Sequence, residues 1–316
     1  MMPAALGIDT SNYTTSAALI QDGQVLANCK KLLPVADGAL GLRQSDAVFA
    51  HVRQLDTVVG QALQGFDGKI TALGVSDRPR NQENSYMPCF QVGLSTAHAL
   101  GAALHIPVYT YSHQQGHIAA ALLSAGQTDL LGQSFIAFHV SGGTTEVLLV
   151  DSMLDCKIIS TSLDLKIGQA VDRVGHMLGF SFPAGAQLDV LSQNGVWSKK
   201  VKATMRGDDC SVSGLQNQCS ALLKAGEKPE NIAAYLFACV AEIVDKLCER
   251  ATLRYAGLPI VFSGGVMCNT TVRRQLSGKY NAFFCAPAFS SDNAAGLAYL
   301  AMRENDESFN YNRITT

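Results

Sequence analysis

The sequence is short of charge. Only 16% of its 316 residues are Asp, Glu, Lys or Arg, against 47% hydrophobic residues. A disordered chain or a long coiled coil needs far more charge and fewer apolar side chains, so both are excluded. It also lacks an excess of either sign: 24 Lys and Arg stand against 26 Asp and Glu, a net charge of -2. No global positive field is available to hold nucleic acid, and any such contact must rest on a local patch. Cysteine occurs nine times, but the count is odd and no Cys-x-x-Cys pair is present. That argues against a disulfide framework or a thiolate zinc site and points to a reducing, cytoplasmic setting. The start, MMPAALGIDTS, has no basic segment followed by an apolar run, so no secretory signal is read there. From Asn84 to Thr128 there is no Asp, Glu, Lys or Arg. Pro88, Pro107 and four histidines interrupt that stretch, which reads as two buried helices around a strand rather than a membrane span.

At about 150 residues per domain, the length suggests two domains. The first forty residues read as β: strands over 6–9, 16–21 and 24–29, with Asp22-Gly23 as a hairpin turn. Residues 44–64 carry Val48, Val52, Leu55, Val59 and Leu63 at helical spacing. A buried strand over 70–76 precedes a polar loop over 77–85. A helix over 92–104, a strand over 106–111 and a helix over 113–125 follow. The pattern then repeats, since strand, Ser/Thr-rich turn and strand recur at 6–23 and 135–152, which suggests two related lobes. Later elements are a helix over 231–255, a strand over 259–263, a helix over 269–276, a strand over 282–286 and a helix over 292–303. The last dozen polar residues are expected to fray.

Four motifs could carry chemistry. His113 and His117 are four apart, and Ser112 before them is a plausible N-cap. On a helix both imidazoles then lie on one face and reach one ion. Asp292, in Ser290-Ser291-Asp292-Asn293 at the start of the last helix, is the candidate third ligand. Two His and one carboxylate leave coordination positions open, which suits Fe(II) or Zn(II). Two ordinary polar residues of a helix explain the pair equally well. No Glu follows His113, so the zinc-protease pattern fails. Ser141-Gly142-Gly143-Thr144-Thr145 lies between two strands, where glycines free backbone amides for a phosphate. Ser263-Gly264-Gly265, running on to Asn269, sits between a strand and a helix and suits a nucleotide. Plain tight turns remain the alternative for both. Asp172, in Gly168-Gln169-Ala170-Val171-Asp172 before Pro183-Ala184-Gly185, could accept from ribose hydroxyls or simply serve as a charge early in a helix.

Taken together these segments resemble the tRNA N6-adenosine threonylcarbamoyltransferase family, formerly called O-sialoglycoprotein endopeptidase or glycoprotease. The resemblance runs from Leu6 to about Leu300, with the motifs in family order. It implies an α/β, two-lobed actin-like/sugar-kinase/Hsp70 (ASKHA) fold with duplicated ribonuclease-H-like lobes. The N-terminal lobe is expected over 1–130, completed by 288–316, and the C-terminal lobe over 131–287, with nucleotide and metal in the cleft. It implies one divalent metal, Fe or Zn, on His113, His117 and Asp292. It implies ATP or a carbamoyl-type adenylate on Val140, Ser141, Gly142, Gly143, Asp172, Gly185 and Asn269, with the family's Ser-Phe-Ser-Gly-Leu segment falling on Ser211–Leu215. A transferase is implied, not a protease.

The departures are local. The family's Glu-Thr-Ser-Cys-Asp-Glu-Thr is here Asp9-Thr10-Ser11-Asn12-Tyr13-Thr14-Thr15, so its acidic pair is replaced by Tyr13 and Thr14. Its Gly-Pro-Gly loop is replaced by Asp77-Arg78-Pro79-Arg80, and its His-Thr-Gln by Thr144-Thr145-Glu146. These changes suggest a divergent paralogue with a rebuilt acceptor side. Asp9, Ser11 and Tyr13 are the candidate catalytic groups, though a tyrosine, with a reference pKa of about 10, is a poor base at neutral pH. The expected activity is transfer of a carbamoyl-type group to an unknown acceptor, which includes O-carbamoylation of a small molecule. Genuine tRNA N6-threonylcarbamoyladenosine synthesis is an alternative. So is a non-catalytic nucleotide-binding partner, since family members work with an actin-like paralogue and an ATPase. A tRNA enzyme should carry a phosphate-binding patch, for which Lys199, Lys200, Lys202, Arg206, Arg273, Arg274 and Lys279 are the available residues; a solvated surface explains them as well.

Overall fold

The computed structural model describes residues 3–11, 13–34, 42–82 and 84–306. The expected fraying of the polar tail falls mostly outside these. The chain divides into two compact units, Met1–Thr128 with Asp292–Thr316, and Asp129–Ser291.

In the first unit, strands β1 (Ala4–Asp9), β2 (Thr14–Gln21) and β3 (Gln24–Leu32) form an antiparallel meander. Asp22 and Gly23 both have positive φ, 50° and 73°, the conformation a two-residue hairpin needs, and Asp-Gly supplies it at low cost. Helix α1 (Gln44–Ala62), β4 (Ile70–Arg78), α2 (Phe90–Leu104), β5 (Val108–Ser112) and α3 (His113–Ser124) follow. The sheet order is β3-β2-β1-β4-β5, with β4 and β5 parallel to β1. The charge-free stretch is thus two helices around a strand, and among the described residues no helix is long and apolar enough to cross a membrane.

The second unit repeats the plan. β6 (Phe135–Val140), β7 (Thr145–Val150) and β8 (Cys156–Thr161) are an antiparallel meander. Helices α4 (Ile167–Met177) and α5 (Gly185–Ser192), a small hairpin of β9 (Thr204–Arg206) and β10 (Asp209–Ser211), and helices α6 (Ser213–Lys224) and α7 (Pro229–Arg254) come next. β11 (Ile260–Ser263), α8 (Thr270–Leu276) and β12 (Ala282–Phe284) complete it. The order β8-β7-β6-β11-β12 reproduces that of the first sheet strand for strand. The chain then returns to the first unit with α9 (Ala295–Asn305). Two copies of one three-antiparallel, two-parallel sheet are the duplicated ribonuclease-H-like plan of the ASKHA fold.

Two expectations change. The buried face of α1 is Ala47, Ala50, His51, Gln54, Leu55, Val58 and Ala62, while Val52 is exposed. Small and polar residues fill that face, so apolar periodicity pointed partly to the wrong side. The last helix begins at Ala295, not 292; Asp292 stands in the bend before it, where the Ala295 N–H donates to Asn293 Oδ1 at 3.1 Å.

Candidate metal centre and nucleotide turn

The first unit builds its site by pressing backbones together. A Cβ on Gly7 or Gly74 would overlap the carbonyl oxygens of Ala294 or Leu297. One on Gly296 would overlap the carbonyl oxygen of Gly116, so α3 and α9 meet where neither has a side chain. Helix α3 starts sharply: Ser112 Oγ accepts from the Gln115 N–H at 3.2 Å, and Gln115 Oε1 accepts from the Ser112 N–H at 2.8 Å. That reciprocal cap fixes His113 as the first helical residue. His117 follows one turn later, its ring centroid 4.3 Å from that of His113.

The close helix contact brings Asp292 to the two histidines. Its Oδ1 lies 3.2 Å from His117 Nε2 and 3.6 Å from His113 Nε2, and the three ligand atoms all lie within 4.8 Å of one another. Ligands about 2.1 Å from one ion, at tetrahedral or octahedral angles, stand roughly 3.0–3.4 Å apart. The donor set fits one divalent cation with open positions.

Around these three, every supporting group is already directed. Asp9 is completely buried at the end of β1. Its Oδ2 lies 3.0 Å from His113 Nδ1 and accepts from Ser11 Oγ at 2.8 Å; its Oδ1 accepts from Ser76 Oγ. A carboxylate on Nδ1 leaves Nε2 of His113 for a metal. Burial opposes charge on His113, yet Asp9 and Asp292 outweigh it and lift its pKa to about 9. Burial likewise pushes Asp9 up, but His113 and the Ser76 hydroxyl hold it below its ordinary value. Asp292 falls well below the carboxylate range, where burial is overcome by both histidines and by Thr14, whose Oγ1 donates to Oδ2 at 3.1 Å. Asp9 and Ser11, read from sequence as catalytic candidates, are hydrogen-bonded to each other, and Asp9 also to His113. Tyr13 lies at the start of the following turn, its carbonyl accepting from the Leu33 N–H at 2.8 Å. Ser76 was missed, and Thr14 was read only as a replacement for an acidic residue: a lone hydroxyl on a strand carries no signal until the fold gives it a partner.

The second unit gathers the expected nucleotide residues at the carboxyl ends of β6 and β11. The Ser141–Thr144 turn is closed by Ser141 N–H donating to the Thr144 carbonyl at 2.8 Å. Gly143 faces open space, and a Cβ on Gly142 would lie 3.9 Å from Asp172 Oδ2. Gly168 lets the start of α4 touch the turn, since a Cβ there would meet the Gly142 nitrogen at 2.5 Å. Burial raises the pKa of Asp172, although its Oδ1 accepts the Ala184 N–H at 2.9 Å. Gly185 begins α5 immediately after. Gly264, with φ of 93°, lies against the Val140 backbone where no side chain fits. Asn269 has a different immediate task. Its Oδ1 accepts the Val272 N–H at 3.0 Å, capping α8, and its Nδ2 donates to Asp189 Oδ1 at 2.7 Å. Asp189, which also takes the Thr270 hydroxyl at 2.8 Å, was not singled out from sequence.

Three of the basic residues are already engaged. Lys279 is bound to Asp245 and Glu249, and Arg273 donates to the carbonyls of Met267 and Cys285. Lys199 lies over the Trp197 ring.

A sequence profile of the tRNA N6-adenosine threonylcarbamoyltransferase family matches residues 45–299. The chain belongs to this family. Among relatives that carry the name tRNA N6-adenosine threonylcarbamoyltransferase, that of Chlorobium chlorochromatii is 29% identical, covering 94% of this chain and 91% of its own. That of Syntrophotalea carbinolica is 31% identical, covering 94% and 91%. The threonylcarbamoyltransferase family is one of transferases. Solved structures share the fold at low identity. Full-length HypF, in its phosphate- and nucleotide-bound form, matches with a TM-score of 0.60 at 13% identity, covering 97% of this chain and 47% of that one. The activator of the 2-hydroxyisocaproyl-CoA dehydratase of Clostridium difficile, with bound ADPNP, matches at 0.54 and 13% identity, covering 96% of each.

Proposed function

We propose that this threonylcarbamoyltransferase relative binds one divalent cation, Fe or Zn, and an adenine nucleotide, and transfers a carbamoyl-type group from an adenylate. The observation that carries this reading is the His113, His117, Asp292 cluster with Asp9 behind it, in a chain of that family. When bound, the cation would supply Lewis acidity to a carbonyl. The chain's own residues do the rest. Asp9 holds His113 in one orientation and Thr14 holds Asp292, so the donor set needs little rearrangement to close on an ion. Amides of Gly142 and Gly143, in the turn that the Ser141 N–H closes, are proposed to take the phosphate, and Asp172, Gly185 and Asn269 to border the nucleoside.

Calorimetry with ATP and with threonylcarbamoyl adenylate, alongside metal analysis, tests this. Binding of both nucleotides, lost in Gly143→Trp, is expected; wild type that binds neither would refute it.

The names of the relatives favour a second reading, synthesis of N6-threonylcarbamoyladenosine in tRNA. Against it, Tyr13 and Thr14 replace the family's acidic pair, and Thr14 is occupied with Asp292. We therefore expect little modified adenosine from threonylcarbamoyl adenylate and unmodified tRNA, even with the actin-like and ATPase partners of the family present. Robust modification would assign tRNA as the acceptor.

A further inference from the structure

The second unit carries an open surface groove of about 590 Å³, lined by Asp208, Lys246, Glu249, Arg250, Leu253 and Arg254. None of these belongs to the metal centre or to the glycine turns. One side of the groove is the end of α7, where Lys246, Arg250 and Arg254 follow one another at four-residue spacing. Residues three or four apart are neighbours on a helix, so Glu249 and Leu253 lie on the same stripe. The other side is the tip of the β9–β10 hairpin, where Gly207 turns the chain with φ of 61°. The tip is held at two points. Ser160 Oγ, on β8, donates to the Asp208 carbonyl at 2.6 Å, and Arg250 Nη1 donates to the Gly207 carbonyl. Both sides of the groove are therefore fixed by the fold.

The charges of the groove do not balance. Lys246 is paired with Glu249 at 2.6 Å. Arg250 and Arg254 share one carboxylate, that of Asp208, at 3.7 and 3.5 Å. A hydrogen-bonded Arg–carboxylate pair stands at about 2.7–2.9 Å, so neither guanidinium closes on Asp208. Three cations thus line the groove with two carboxylates, and the arginine pair is the part left one short. Arg254 is held flat over the Tyr255 ring, 5.6 Å from its centroid, which orients its planar donors. Leu253 stands among these cations and is 84% exposed. A single exposed leucine is ordinary. A leucine inside a groove that lacks one carboxylate offers an apolar and an ionic contact side by side.

We propose that this groove docks an acidic segment of a partner protein, one that places an Asp or Glu next to a large apolar side chain. The carboxylate enters between Arg250 and Arg254, and the apolar side chain covers Leu253. Charge complementarity selects this occupant. A nucleic-acid strand would bring a phosphate for the arginines but no aliphatic side chain for Leu253. An excess of one positive charge is also small for a backbone that carries a charge at every nucleotide, and no aromatic ring lines the groove for a base to stack on. The proposal is independent of the metal and nucleotide readings, since it uses none of their residues.

A random peptide library panned against the full-length protein tests this. The selected peptides should be rich in Asp and Glu beside Leu, Ile or Phe. Fluorescence anisotropy with one selected peptide then measures affinity. Arg254→Glu should weaken binding by about tenfold or more, as loss of an anchoring arginine does, and Leu253→Ser by several-fold. Both side chains are exposed, so unfolding midpoint and metal content should match wild type in the two variants. Raising the salt concentration should weaken the wild-type complex. A version of the peptide with Lys in place of its acidic residues should bind Arg254→Glu more tightly than wild type, a recovery that a merely structural role for Arg254 would not produce. Selection of no acidic peptides, equal affinity of both variants, or no recovery on charge exchange would each overturn the proposal. A single-stranded RNA oligonucleotide bound more tightly than any selected peptide, and equally well by Leu253→Ser, would overturn it in favour of a nucleic-acid surface.

Discussion

The two units carry the same sheet order but differ in what covers one face of the sheet. In the first, β1 and β4 meet α9 through Gly7 and Gly74, and α9 meets α3 through Gly296 and Gly116. Alanines such as Ala5, Ala72 and Ala301 fill what remains. In the second, the sheet is covered by large side chains: Phe138 and Phe262 lie 4.9 Å apart between ring centroids, and Phe262 stacks on Phe284 at 4.8 Å. Close backbone approach fixes side-chain positions within narrow limits, because main chain cannot rotate away as a side chain can. Aromatic packing supplies more buried apolar area but tolerates local adjustment. The unit whose side chains must converge on one ion uses the first scheme. The unit whose candidate site is made of turn amides uses the second across its sheet and keeps close backbone approach for Gly168 and Gly264 at the turns.

Five experiments would break or sharpen this contrast. Phe262→Ala should cost about 3–5 kcal/mol, the range for a large aromatic removed from a core, with metal stoichiometry unchanged; denaturant unfolding and metal analysis check both. Loss of metal in this variant would mean that the units are not separable in this way.

The second experiment lowers pH. His51 is completely buried in the first unit, with its Nδ1 2.8 Å from Thr15 Oγ1 and its Nε2 without a partner. Burial lowers its pKa to about 4, against only partial compensation from Asp9. The unfolded chain, with an ordinary value near 6.5, binds a proton first, so the stabilisation is full above pH 6.5 and is lost as pH falls toward 4. The loss should be about 3 kcal/mol, measured by chemical denaturation across that window. His51→Gln should flatten this component; an unchanged slope would mean that other groups cause it.

Third, Gly296→Val should push α9 off α3 and cost about 1–3 kcal/mol or more, as overpacking does, while abolishing metal retention. Here stability and metal fail together, unlike Phe262→Ala. Fourth, Asp9→Asn keeps the shape but removes the charge behind His113. Metal affinity should fall about 10–100-fold, the usual effect of losing such a supporting carboxylate. Equal affinity would show that Asp9 serves only the fold. Last, Gly143→Ala adds a methyl where nothing lies within 4 Å. Its stability should stay within about 0.5 kcal/mol of wild type, as for ordinary surface changes.

The predicted elements of the first unit were largely readable because each carries a local cause. Asp22-Gly23 makes a turn by itself, and Ser112 with Gln115 caps α3 whatever surrounds it. The stretch between β7 and α7 was less legible. β9, β10 and α5 are short, and the contacts here are not local: Ser162 bridges to Cys210, and Asp164 accepts from the Val212 and Ser213 amides. Nothing in their own windows announces such partners.

By itself the sequence determined the motifs and their order: two histidines one helical turn apart, glycine turns after strands, and a repeated strand-turn-strand that marks the duplication. Those follow from backbone preference and spacing within a few residues. Only the tertiary structure decided which groups meet. Asp292 reaches His113 and His117 because four glycines let helices and sheet touch, and Thr14, Ser76 and Asp9 become parts of one site only across that contact. The physical reason is that a polar side chain gains its meaning from its partner, and here the partners lie from 67 to 278 residues away along the chain.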